Sequence, residues 1–217
     1  MFLSVRIKMK INEIFYSLQG EGIWTGLPNV FIRITGCNLR CSFCDTKYAY
    51  YEGEEMEIKQ IINKISKYNC KFICLTGGEP LIQDETLDLI KALVLKNYEI
   101  YLETNGSIDI KNIINISNLI ISLDIKCPSS NMQGNNYLDN IDLLKKKDQL
   151  KFVIKDNEDY EYAKKIINKY KPKCLIYFQS VWGIRPDILA RKILKDKINV
   201  RLGIQLHKIL WGDKRGT

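Results

Sequence analysis

The stretch FIRITGCNLRCSFCDT, residues 31–46, joins an apolar, β-branched run to three closely spaced cysteines. The apolar run predicts a strand over residues 29–35, and Cys37, Cys41 and Cys44 then fall in the loop at its carboxyl end. Three thiolates can hold three irons of a cubic [4Fe-4S] cluster and leave the fourth iron open to another ligand. This spacing therefore predicts a cluster that binds a cofactor or substrate directly.

A four-sulfur zinc site is the main alternative for these cysteines. Cys70 and Cys74 could combine with the last two cysteines of the triplet. They flank or enter an apolar run, where a free cysteine behaves as a small hydrophobic residue, and zinc leaves Cys37 without a role. Seven unevenly spaced cysteines favour a metal or cluster site over disulfide bonds.

Predicted strands and helices alternate along the chain. Strands are predicted over residues 29–35, 71–76, 99–103, 119–123, 149–155, 174–179 and 200–205, and helices over 57–68, 84–96, 158–170 and 186–195. This alternation implies an α/β fold with a mostly parallel sheet. Residues 104–118 and 125–148 are poor in helix, so we expect an incomplete, TIM-like barrel with a reduced helix count. Residues 1–217 contain no linker and are predicted to form a single domain.

Polar motifs follow several of the predicted strands. In parallel sheets, ligands bind at the carboxyl ends of the strands, so these motifs predict one shared site. Glu103 and the lone histidine, His207, are candidates by their positions at strand ends. The motifs are Gly77-Gly78-Glu79-Pro80, Glu103-Thr104-Asn105-Gly106, Asp124-Ile125-Lys126 and Gln179-Ser180.

The formal net charge of +8 comes from lysines spread along the chain. That spread indicates solvated helix faces rather than a nucleic-acid-binding stripe. No apolar run is long enough for a membrane helix, and the first residues lack the features of a signal peptide. Met9 is a second candidate for the start of the folded chain. We expect a cytoplasmic protein with no nucleic-acid or membrane partner.

The cysteine spacing followed by GGEP resembles the radical S-adenosylmethionine (radical SAM) superfamily. Motifs along nearly the whole chain resemble its 7-carboxy-7-deazaguanine synthase family. They are EIFYSLQGEG (13–22), FIRITGCNLRCSFCDT (31–46), LTGGEP (75–80), ETNG (103–106), DIKCPSS (124–130), QLKFVI (149–154) and QLHKILWGDKRGT (205–217). Many relatives carry Ser-Pro-Lys where this chain has Asp124-Ile125-Lys126.

The resemblance implies a radical SAM core and a lyase reaction in queuosine and 7-deazapurine biosynthesis. A [4Fe-4S] cluster on Cys37, Cys41 and Cys44 would bind S-adenosylmethionine and cleave it to a 5′-deoxyadenosyl radical. That radical would start the ring contraction of 6-carboxy-5,6,7,8-tetrahydropterin to 7-carboxy-7-deazaguanine with loss of ammonia. The family also needs Mg²⁺, for which Thr46 would be a ligand. A homodimer, and an electron donor such as flavodoxin or ferredoxin, are further expectations.

The resemblance also implies binding roles for single residues, although it identifies no catalytic side chain. Arg33 would bind the substrate carboxylate, which its planar guanidinium suits. The other substrate contacts would be Leu18, Gln19, Gly20, Thr76 and Thr217 with its terminal carboxylate, with His207 added from its position. The S-adenosylmethionine contacts would be Phe43, Cys44, Asp45, Gly78, Asp124, Ile125, Lys126, Gln179, Ser180, Val181 and Trp182, with Glu103 added from its position.

Two other functions remain open from the residues. A small radical SAM activase, which generates a glycyl radical on a partner protein, shares the cysteine spacing and similar length, but SLQGEG and the KRGT tail argue against it. An iron–sulfur or zinc binding module without enzymatic activity would cleave no cofactor.

Overall fold

The computed structural model describes residues 8–217. Residues 1–7, which make up most of the segment before Met9, lie outside the described part. The described chain forms nine strands: β1 (Lys8–Leu18), β2 (Pro28–Ile34), β3 (Glu54–Glu57), β4 (Phe72–Gly77), β5 (Glu99–Thr104), β6 (Leu119–Ile125), β7 (Gln149–Ile154), β8 (Leu175–Ser180) and β9 (Arg201–Gly203). Its helices are α1 (Ile58–Ile65), α2 (Thr86–Leu95), α3 (Asn140–Leu143), α4 (Asn157–Tyr170), α5 (Pro186–Asp196) and α6 (Leu206–Trp211).

All nine strands described lie in one sheet with the order β3-β1-β2-β4-β5-β6-β7-β8-β9. β1 is antiparallel to β2 and to β3, whereas the strands from β2 to β9 run parallel. Because β3 and β9 are the two edges, the sheet stays open. The predicted α/β fold with an incomplete barrel is confirmed.

One face of the sheet is covered by helices. α2 packs against β5, α4 against β7 and α5 against β8. Alternate strand residues such as Ile32, Leu75 and Leu102 are fully buried in the core that these helices complete. This leaves the opposite side chains of each strand on a face without helices, as the two-residue period of a strand requires.

Local sequence explains where the helices begin. Glu57 and Gln60 form a reciprocal capping box at the start of α1. The Asp156 side chain accepts a hydrogen bond from the Asp159 backbone at the start of α4. Pro186 occupies the first position of α5, where its missing N–H costs nothing.

The structure differs from the sequence prediction at both ends and in the helix-poor segments. β1, β3, α3 and α6 were not predicted, and the strand predicted over residues 200–205 shortens to β9 because α6 begins at Leu206. The segment before β6 contains turns, which Asn140 holds by bonding the Ile110 N–H at 3.1 Å and the Ile108 carbonyl at 2.8 Å. None of the helices within residues 8–217 combines the length and apolar character needed to cross a bilayer.

Candidate active site

The strand register builds the floor of the site. Arg33 on β2 lies opposite Thr76 on β4, both on the face without helices. Further along, Glu103 pairs with Ser122 and Asp124 with Lys151. Parallel strands thus present one row of polar side chains near their carboxyl ends.

These side chains enclose a cavity of about 270 Å³. It brings together every residue predicted for the site except Ile125. The predicted residues in its lining are Leu18, Gln19, Gly20, Arg33, Cys37, Cys41, Phe43, Cys44, Asp45, Thr46, Thr76, Gly78, Glu103, Asp124, Lys126, Gln179, Ser180, Val181, Trp182, His207 and Thr217. Ile125 is fully buried in the core because its neighbours Asp124 and Lys126 face the cavity.

Cys37, Cys41 and Cys44 are free, half-buried thiols at one end of the cavity. The Cys37 sulfur accepts the Leu39 N–H at 3.4 Å and the Asn105 amide at 3.8 Å. Burial raises the pKa of Cys37 and Cys41, so a cluster must displace their protons.

No three His, Cys, Asp or Glu side chains among residues 8–217 converge as ligands of a single ion. In a cubic cluster each thiolate binds a different iron, so the three sulfurs need not meet at one point. The triplet therefore fits a cluster better than a mononuclear metal.

The four-sulfur zinc alternative does not agree with this geometry. Cys74 is fully buried on β4, where its sulfur accepts the Gln19 amide at 3.2 Å. Cys70 precedes β4 and contacts the Pro28 carbonyl at 3.5 Å, at the start of β2. Cys70 thus lies at the amino ends of the parallel strands, whereas the cysteine loop lies at their carboxyl ends.

Gly77 and Gly78 let the GGEP loop pack against the cysteine loop. A Cβ on Gly78 would lie 1.9 Å from the Gly36 oxygen, and one on Gly77 would lie 2.2 Å from the Ile34 oxygen. Gly77 also has φ of +152°. Close backbone packing thus requires both glycines, whatever else Gly78 contacts in the cavity.

Glu79 ties this loop to the one after β5. The fully buried carboxylate accepts hydrogen bonds from the Leu81 N–H at 3.0 Å, the Thr104 hydroxyl at 2.7 Å and the Asn105 N–H at 2.6 Å. Burial raises the pKa of Glu79, although the three donors oppose that shift. Glu79 is thus structural, and it fixes the backbone of Asn105, whose side-chain amide lies beside Cys37.

Asp124, Lys126 and Ser180 form the half of the cavity expected to hold S-adenosylmethionine. Lys126 Nζ lies 2.9 Å from Asp124 Oδ2. Burial alone would lower the pKa of Lys126, but Asp124 and Cys41 outweigh it and raise the pKa. Asp124 Oδ1 and Ser180 Oγ are buried without a hydrogen-bond partner among residues 8–217. Unpaired buried oxygens are costly, so these two atoms fit hydroxyl or amino donors of a ligand.

Glu103 lies at the centre of the other half. It accepts the Thr76 hydroxyl at 2.8 Å and the Gln19 amide at 3.3 Å. Burial raises the pKa of Glu103, and the charge of Lys151 opposes this. Glu103, predicted as a cofactor contact, thus lies in contact with two residues predicted for substrate.

Arg33 reaches the same half from β2. Its Nε donates to Glu13 at 2.7 Å, and its guanidinium lies 5.7 Å from the Phe15 ring and 5.8 Å from the Tyr48 ring. Among the described residues this pairing uses only Nε. The two terminal nitrogens therefore remain available to an anion in the cavity.

The C-terminal segment lies against the cavity mouth. Arg215 stacks on Tyr48 at 3.6 Å and bonds Glu52 at 3.0 Å. His207 packs against Gly20 so closely that a Cβ on Gly20 would lie 2.0 Å from the His207 Nδ1. These contacts bring Thr217 into the lining.

Asp45 and Thr46 provide oxygen atoms at the rim. The Thr46 hydroxyl donates to Asp45 Oδ1 at 2.8 Å. Oxygen donors beside an open cavity suit Mg²⁺, which keeps several water or substrate ligands.

Sequence reasoning missed Lys151, Glu21 and Gln205, which form a partly buried chain of contacts. Lys151 Nζ lies 2.8 Å from Glu21, whose other oxygen accepts the Gln205 amide at 2.8 Å. Burial alone would raise the pKa of Glu21, but Lys151 lowers it to about 2. The available signal was a lysine inside the mostly apolar QLKFVI strand.

Comparison with known proteins agrees with this geometry. Residues 31–175, more than half of the chain, match the model of the radical SAM superfamily. The chain is 38% identical to the 7-carboxy-7-deazaguanine synthase of Thermoplasma acidophilum, over 96% of this chain and 100% of that protein. It is 39% identical to the synthase of Clostridium acetobutylicum, over 96% and 99%.

A solved structure shares the fold. QueE from Escherichia coli aligns with a TM-score of 0.77 over 92% of this chain and 95% of that one, at 22% identity. The matched family model and the curated relatives show that the chain belongs to the 7-carboxy-7-deazaguanine synthase family of radical SAM enzymes.

Proposed function

We propose that this enzyme converts 6-carboxy-5,6,7,8-tetrahydropterin to 7-carboxy-7-deazaguanine with loss of ammonia. One observation carries the proposal: a single cavity joins the three cysteines to the Arg33 guanidinium and the half-buried Glu103 carboxylate. This combination suits a radical reaction on a substrate that has both an acid group and N–H donors. In this proposal the chain works as a single domain.

The cysteines would hold the cluster, which, when bound, supplies the electron that cleaves S-adenosylmethionine. Around it, the Asn105 side-chain amide donates toward the Cys37 sulfur, and Glu79 holds the Asn105 backbone N–H. Asp124 Oδ1 and Ser180 Oγ offer free acceptors for cofactor hydroxyl or amino groups. The protein thus contributes orientation and an enclosed site.

The substrate half would orient the pterin. Arg33 would bind the C6 carboxylate through its terminal nitrogens. Glu103, already held by Gln19 and Thr76, would accept ring N–H groups. Fixing both ends of the bicyclic ring would hold C6 toward the cofactor half, which is the orientation that hydrogen abstraction requires.

Three further expectations belong to this proposal. Thr46 would ligate Mg²⁺ beside the substrate carboxylate. A flavodoxin or ferredoxin would deliver the electron, and the working form would be a homodimer.

Anaerobic reconstitution tests the reaction. Protein loaded with iron and sulfide is mixed with reductant, S-adenosylmethionine, Mg²⁺ and the carboxylated tetrahydropterin, and products are followed by mass. We expect 7-carboxy-7-deazaguanine without any partner protein. Cluster-loaded protein that cleaves S-adenosylmethionine only with a partner polypeptide would instead support an activase. Omitting Mg²⁺ and adding chelator tests the metal separately.

A further inference from the structure

Lys151 occupies the boundary between the two halves of the cavity. Its Nζ lies 2.8 Å from Glu21 Oε2 and 3.6 Å from Asp124 Oδ2. All three side chains are only 12–13% exposed. Glu21 follows the segment that carries Gln19, whereas Asp124 belongs to the cofactor half. One ammonium group is thus shared by carboxylates from both sides.

The two carboxylates are satisfied to different degrees. Glu21 has Lys151 on one oxygen and Gln205 on the other. On Asp124, Oδ2 faces both Lys126 and Lys151, and Oδ1 has no partner in the described part of the chain. A ligand can therefore change the charge balance at Asp124 more readily than at Glu21.

We propose that Lys151 is a positioning residue that couples the binding of S-adenosylmethionine to the binding of substrate. This inference rests on the proposed function. A ligand hydroxyl that donates to Asp124 Oδ1 draws negative charge from the carboxylate and weakens its attraction for Lys151. The ammonium then gives up its 3.6 Å contact with Asp124, and its existing 2.8 Å contact with Glu21 strengthens and holds the segment of Gln19 in its substrate-binding position. The coupling is positive, and by linkage it is reciprocal.

Lys151 carries the positive charge that this role requires. Burial alone would lower the pKa of the lysine, but Glu21, Asp124 and Glu103 raise it well above its ordinary value. Lys151 therefore stays protonated, and short distances in an enclosed site make its interactions strong.

Binding measurements without turnover test the coupling. Cluster-loaded, oxidised enzyme is titrated anaerobically with the carboxylated tetrahydropterin, with and without saturating S-adenosylmethionine and with no reductant. We expect the cofactor to tighten substrate binding about tenfold in the native enzyme. In Lys151→Met this factor should fall below about twofold, and Lys151→Arg should recover most of it.

Two controls separate coupling from general damage. Lys155→Met removes an exposed lysine just beyond β7 and should keep the native factor. Glu21→Gln removes the same link while Asp124 keeps both lysines, so it should also abolish the coupling. It replaces Lys151→Met in the test if that variant does not fold.

The outcomes are distinct. A native factor near one, or an unchanged factor in Lys151→Met, overturns the inference while leaving the proposed function intact. Equal losses of substrate affinity with and without cofactor would mean that Lys151 is only structural, which also overturns it. If no variant binds the pterin at all, the proposed function fails and the inference falls with it.

Discussion

The Arg33 side chain shows how one residue can be both held and available. Its ion pair with Glu13 and its contacts with the Phe15 and Tyr48 rings fix the plane of the guanidinium. A group that is ordered before the ligand arrives loses less entropy on binding. The pairing with Glu13 uses only Nε, so it leaves the two terminal nitrogens of Arg33 available.

Arg33→Ala should weaken substrate binding while leaving the cluster intact. Hydrogen bonds to charged groups contribute about 1.5–3 kcal/mol, so we expect roughly 10- to 150-fold weaker binding. Substrate titration measures the loss, and the electronic absorption spectrum of the cluster serves as the control. Glu13→Gln, which keeps the guanidinium, should weaken substrate binding less than Arg33→Ala does. Disappearance of the cluster from Arg33→Ala would instead show a structural role.

Between elements, the contact of the GGEP loop with the cysteine loop leaves no space for a side chain. Gly78→Ala would place a Cβ 1.9 Å from the Gly36 oxygen and 2.8 Å from the Cys37 Cβ. Backbone cannot yield as a flexible side chain can, so the cysteine loop must move. We expect the variant to bind less iron per chain and to lose the cluster faster under chelator.

Gly134→Ala is the matched control, since its Cβ would meet nothing within 4 Å. It should retain full iron content. Full iron content in Gly78→Ala would show that the two loops can separate without disturbing the cysteines.

The elements that sequence predicts well are those buried on both faces. β4 carries a continuous apolar run over residues 72–75, and Ile100, Tyr101 and Leu102 at the centre of β5 are fully buried. β1 mixes Lys, Asn and Glu with apolar residues, and α6 has no buried residue, so neither carries a clear periodic signal. Both are defined by tertiary contacts.

The same reason limits prediction of the site. Residues at strand ends, such as Arg33 and Gln179, follow from motif positions and from the rule that ligands bind there. Lys151 lies inside β7, and only the register places it opposite Asp124. A single sequence does not give the register between distant strands, so this ion-pair chain could not be predicted.

At the scale of the whole molecule, the open sheet is bridged by its C-terminal segment. From β9 the chain bonds back to the segment after β1, through Leu206 to Gly20 and through Gln205 to Glu21. It then crosses to Glu52, which it meets through Arg215. The tail thus spans the cavity mouth between elements at opposite sides of the sheet.

Removing residues 214–217 should therefore impair turnover more than folding. The Arg215–Glu52 pair is about half exposed, and such pairs contribute roughly 0–1 kcal/mol, so urea unfolding should change little. The substrate half, by contrast, loses Thr217 and the cover over Tyr48. We expect substrate affinity to fall by at least about tenfold, seen as a rise in KM. Arg215→Ala, which loosens the tail but keeps Thr217, should give an intermediate KM. A truncated enzyme with native KM and kcat would show that the tail only lies across the site without acting in it.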